Sequence, residues 1–99
     1  MIIINDIDDL FDLLTIALPY EYSEHLTNGT SCADTIEITK EGTDTVLYIA
    51  EDADEPLTFT AALYASADDD EPLREGIRWD TALENTTVGS VVADIKKLF

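Results

Sequence analysis

Ninety-nine residues, 45% of them hydrophobic, supply one compact core and predict a single acidic domain over 1–99 with no room for a second. The 22 acidic residues against 5 basic ones give a formal net charge of −17, which argues against direct binding to nucleic acid or to an anionic membrane surface. A mean hydropathy of −0.01 is too high for the disorder common in acidic chains, and the lone Cys32 excludes an intramolecular disulfide or a multi-cysteine metal site.

In chain order, Met1 to Ile4 fits either a short strand or an apolar lead-in. From Ile7 the apolar residues Ile7, Leu10, Phe11, Leu14, Ala17 and Leu18 follow the i, i+3, i+4, i+7 spacing of one helical stripe. Asn5 or Asp6 is the expected cap, Asp8 and Asp9 suit the positive end of the helix dipole, and Pro19 stops the helix. Residues 20–33 lack a period and contain Asn28-Gly29, so they read as a connecting loop with a tight turn.

Strict alternation over Thr35 to Thr39, with Ile36 and Ile38 on one face, predicts a half-buried strand. Glu41-Gly42-Thr43-Asp44 turns the chain into a second strand, Thr45 to Ala50, and the acidic loop Glu51 to Pro56 leads to a third, in which Leu57, Phe59, Ala61 and Leu63 alternate with polar and small residues. Ser66 to Pro72, with acids at Asp68, Asp69, Asp70 and Glu71, reads as a solvated loop, and residues 73–85 fit no single element. Val88, Val91, Val92, Ile95, Leu98 and Phe99 form the stripe of a second helix, capped by Thr86 or Thr87 and ending on Lys96 and Lys97. The expected fold is therefore α+β: a two-layer sandwich of N-terminal helix, three-stranded antiparallel meander and C-terminal helix.

Signals for chemistry are few. His25 lacks the neighbours of a zinc site and reads as a loop or surface residue, Cys32 reads as a small buried hydrophobe, and no glycine-rich phosphate loop or nucleophile elbow occurs. The acidic runs 51–55 and 68–71 could attract divalent cations weakly, yet neither carries the ligand spacing of a calcium loop. No catalytic residue, cofactor or dedicated metal site is predicted, and the chain is not expected to be an enzyme. Met1 to Asp12 is the reverse of a basic, apolar signal peptide and no apolar run approaches about 18 residues, so the predicted location is the cytosol. The sequons at Asn28 and Asn85 would matter only in a secretory pathway.

Charge is the most informative feature. A domain of this size has a diameter of about 33 Å, and a DNA duplex that long carries about 19 negative charges, close to the total here. Three clusters hold much of the acid: the first helix, with Asp6, Asp8, Asp9 and Asp12; the loop with Glu51, Asp52, Asp54 and Glu55; and the loop with Asp68, Asp69, Asp70 and Glu71. Asp8, Asp9, Asp12 and the two loop clusters are the candidate partner-binding residues, joined by Trp79, which could anchor an interface or fill the core.

A small, acidic chain beginning Met-Ile-Ile-Ile-Asn-Asp, with helix, meander and terminal helix, resembles the phage-encoded DNA mimics, particularly anti-CRISPR proteins. The likeness is one of size, charge and element order over most of the chain. It implies stoichiometric inhibition in the host cytosol, with carboxylates standing in for phosphates on the basic surface of a Cas or restriction nuclease, by a monomer or small homo-oligomer. An immunity protein or antitoxin that neutralises a basic toxin would share these features, and a neighbouring toxin gene would distinguish it. A halophile domain is the third reading; it should unfold in dilute buffer, and its usual excess of Val over Ile is reversed here.

Overall fold

A computed structural model describes residues 4, 6–27, 34–52, 54–55, 57–81 and 87–99. Helix α1 spans Ile7–Ala17 and buries Ile7, Leu10 and Leu14, followed by Leu18 just beyond its end. Of the two candidate caps, Asp6 takes the role: its Oδ1 accepts the Asp9 backbone N–H at 3.0 Å. Ala17, placed in the apolar stripe by its spacing, is exposed instead, because the helix ends there.

The sheet has five antiparallel strands in sequential order: β1 Tyr22–Thr27, β2 Thr35–Lys40, β3 Val46–Glu51, β4 Thr58–Tyr64 and β5 Arg74–Asp80. The three-stranded expectation is thus corrected by a strand at each edge. In β1, Tyr22, Glu24 and Leu26 face the core side, and the acid in the middle position hides the alternation. In β5, Gly76 has φ +75° and lies where the β4–β5 register shifts between Ala61 and Leu63, so the bulge breaks the period of two. Residues 20–27 and 73–81, read as loop or unassigned, therefore contain regular structure.

One sheet face carries the core. Ile36 and Ile38 stand opposite Ile49 and Leu47, those stand opposite Ala61 and Leu63, and Phe59 stands opposite Trp79. Helix α2, Val88–Leu98, adds Val91, Val92 and Ile95 and starts at Thr87, whose Oγ1 accepts the Ser90 N–H while Ser90 Oγ accepts the Thr87 N–H. Helix α1 lies over β1 and β2, and α2 packs on α1. The second helix crosses from Trp79 in β5, whose Nε1 donates to Asp94 Oδ2 at 3.0 Å, to Tyr22 in β1, against which the Phe99 ring stacks edge-on.

That indole bond predicts an asymmetry between surface and core. Asp94 is exposed, yet Asp94→Ala would leave the buried indole N–H without its acceptor and should cost about 1–2 kcal/mol, measured by urea unfolding; Asp94→Asn, which keeps an acceptor oxygen, should cost less.

Candidate functional site

An antiparallel meander sends its connections alternately to opposite ends. The β1–β2 and β3–β4 connections lie at one end; the β2–β3 turn and the β4–β5 loop lie at the other, about 20 Å away for strands of this length. Helix α1 ends where β1 begins, and its N-terminal Asp8 feels the charge of Asp34 at the start of β2, so the first turn of α1 belongs with the first end. Helix α2 holds Asp94 at Trp79, toward the first end of β5, and Phe99 at Tyr22, at the opposite end of β1, so its last turn, with Lys96 and Lys97, belongs with the opposite end.

This arrangement sorts the charges. Asp6, Asp8, Asp9 and Asp34 gather at the first end with Glu51, Asp52, Asp54, Glu55 and Asp80, Asp12 follows one turn further along α1, and the cation among the described residues there is Arg78. Asp68, Asp69, Asp70 and Glu71 fall at the opposite end together with Glu21, Glu41 and Asp44, and that end also holds Lys40, Arg74, Lys96 and Lys97, which offset much of their charge. Two of the three predicted clusters are therefore brought to the same end of the molecule, and the third is separated from them and shares its end with most of the basic residues. Sequence spacing alone could not reveal this, because it depends on the number of strands between the clusters.

Not every acid in the first group is available to a partner. Asp52 Oδ1 accepts the backbone N–H groups of Asp54 at 2.8 Å and Glu55 at 3.3 Å, and its Oδ2 meets Arg78 at 3.4 Å. Arg78 also pairs with Glu55. Asp52 thus organises the β3–β4 connection, while Asp54 is exposed. Leu57, in the same connection, holds φ +65°, and its carbonyl accepts both the Thr81 N–H and the Thr81 hydroxyl, tying this loop to the end of β5. Trp79 is 5% exposed and lies in the core, which removes it from the surface as an anchor.

Crowding leaves a mark on protonation. Partial desolvation, then the negative charges of Asp6, Asp34, Asp12 and Asp9, hold the Asp8 carboxyl above its ordinary value. Desolvation on the helix-covered face raises Glu24 as well, against the lowering influence of its own backbone hydrogen bond and of His25. On the opposite face, desolvation followed by Glu37, Tyr64 and Asp68 pushes the Tyr48 phenol up.

For all three groups the folded chain binds its proton more tightly than the unfolded chain. The stability they contribute is present below the ordinary pKa of each and is lost as pH rises through the folded value. Acidification from neutrality toward about pH 4.5 should therefore raise the melting temperature through Asp8 and Glu24, while stability should fall above about pH 10 as Tyr48 ionises. Thermal melts in dilute buffer test this, and molar salt should flatten the part of the acid-side change that comes from charge repulsion.

His25 is exposed on β1, opposite Glu37 of β2, rather than in a loop. Among the described residues no cluster of three or more His, Cys, Asp or Glu side chains is placed to hold a metal ion. No described helix is long and apolar enough to cross a membrane. Met1 to Ile3, Asn5, Cys32, the sequon asparagines Asn28 and Asn85, the Asn28-Gly29 turn and Thr86 lie outside the described residues. Comparison with protein-family models, curated proteins and solved structures finds no match.

Proposed function

We propose that the chain is a non-enzymatic, stoichiometric inhibitor that binds the basic nucleic-acid-binding surface of a nuclease, of Cas or restriction type, as an acidic mimic of DNA. The observation that supports this reading is the uneven distribution of net charge over the two ends of the sheet: both carry carboxylates, but four of the five basic residues lie at the end that holds Asp68 to Glu71. The first turn of α1, the start of β2 and the β3–β4 connection present acids at one end, with Arg78 as the cation among the described residues there, and that cation is engaged by Asp52 and Glu55.

The dimensions fit the same reading. The molecule extends 35 × 31 × 22 Å, and a duplex spanning its longest dimension would carry about 21 charges. Such a body can draw a basic protein in by long-range attraction and hold it by matching the polyanion its groove is built for. Helix and strand termini fix the backbones that bear these acids, so less ordering entropy is lost on binding than with a disordered acidic tail.

The test is to titrate the protein into DNA-binding and cleavage assays of basic nucleases from the cell in which its gene is expressed. The reading expects DNA binding and cleavage to be lost together at equimolar protein, and excess duplex to restore them. Unimpaired DNA binding by every such nuclease would refute it.

A further inference from the structure

The face of the sheet turned away from the helices is not covered by any element among the described residues, and its chemistry is unlike the rest of the surface. Its centre is small: Ala50 and Ala62, with Thr35 and Thr60, floor an open trough of about 420 Å³ that Tyr48, Glu75 and Gly76 also line. Tyr48 meets Tyr64 edge-on with centroids 5.5 Å apart, forming an aromatic wall. Glu37 stands beside Tyr48 across the β2–β3 pair, Asp68 is near enough to act on the Tyr48 hydroxyl, and Glu75 closes the β5 side. None of these three carboxylates has a salt-bridge partner among the described residues, and the arginine on this face, Arg78 across from Thr60, is engaged by Asp52 and Glu55.

We infer that this open face is a docking surface for an arginine-bearing segment of a basic protein, with the guanidinium against the Tyr48–Tyr64 wall, its methylene stem over Ala50 and Ala62, and Glu37, Asp68 and Glu75 as its counter-charges. Charge complementarity selects this occupant. Nucleic acid would meet a rim of like charge, and a second copy would bring another −17. An apolar floor with an aromatic wall suits arginine better than lysine, because a guanidinium is more weakly hydrated and stacks on rings. The inference shares with the proposed function only the premise that the partner is basic, and it does not require a nuclease.

The experiment is a titration of isotopically labelled full-length chain with a capped oligo-arginine peptide, followed by backbone amide NMR at physiological salt, with oligo-lysine of equal length for comparison. The expected perturbations centre on Thr35, Tyr48, Ala50, Thr60 and Ala62, with arginine preferred over lysine by about two- to fivefold per stacked group. Tyr48→Leu should remove that preference. Glu75→Gln, at an exposed strand position, should weaken the peptide severalfold without changing the melting temperature, which keeps the test valid if Tyr48→Leu is unstable. Perturbations confined to the first turn of α1 and the 51–55 connection, equal affinity for both peptides, or contacts that appear on concentration without peptide would each overturn the inference. Failure to inhibit a nuclease would leave it untouched, and a silent sheet face would leave the proposed function untouched.

Discussion

Neutralising Asp8, Asp12, Asp34 and Asp54 to asparagine should weaken binding to a basic nuclease by about tenfold to about a thousandfold, taking up to ~1 kcal/mol for each exposed ion pair lost. Removing the same number of charges through Asp68→Asn, Asp69→Asn, Asp70→Asn and Glu71→Gln should change it by less than about threefold, a small share of what those same pair energies allow. The contrast follows from the meander, which puts the first set at one end of the strands and the second set at the other. Asp6 and Asp52 are deliberately kept, because one caps α1 and the other holds the β3–β4 connection. The first variant should be no less stable than the parent, since Asp8 carries its charge against the repulsion of its neighbours. A loss of affinity therefore cannot be attributed to unfolding once melting curves agree.

Phe59→Ala should destabilise the chain by about 3–5 kcal/mol, a large part of the ~5–15 kcal/mol that holds a domain of this size together. Phe59 is 0% exposed on β4 and stands opposite Trp79, so its removal opens a cavity in the core face of the sheet that the neighbouring strands cannot close without breaking the register. A fall in melting temperature of roughly 15–30 °C is expected. Ile16→Ala is the control: Ile16 is an apolar residue of α1 that is 82% exposed, and its loss should stay within about 0.5 kcal/mol.

Both helices and the three central strands were legible in the sequence because their side chains obey one period each. Ile7, Leu10 and Leu14 repeat as a helix requires, and Ile36 with Ile38 alternates as a strand requires. The edge strands escaped for opposite reasons. In β1 a carboxylate occupies a core-facing position, tolerable at an edge where Glu24 is only partly buried. In β5 the apolar signal is intact at Ile77 and Trp79, but the glycine bulge displaces it from the residues before it. Patterns of polarity report burial, and edges and bulges are where burial and backbone geometry part company.

The candidate surface was legible as composition and illegible as arrangement. Three acidic clusters could be found by inspection, yet their separation into opposite ends required the count of strands, and the service of Asp52 to the loop required its backbone partners at 54 and 55. The uncovered trough behind the sheet has no local signature at all, because Ala50, Ala62 and Glu75 come from three strands and meet only in the folded sheet.

The dissociation constant of the complex with a basic nuclease, followed from about 50 mM to about 200 mM salt with and without duplex, addresses the mimicry most directly. Carboxylate mimicry predicts affinity that falls steeply and linearly on a double-logarithmic plot, full exclusion by duplex, and a shallower slope for the Asp8, Asp12, Asp34 and Asp54 variant. Affinity indifferent to salt, or a ternary complex in which duplex and this chain occupy the nuclease together, would contradict it.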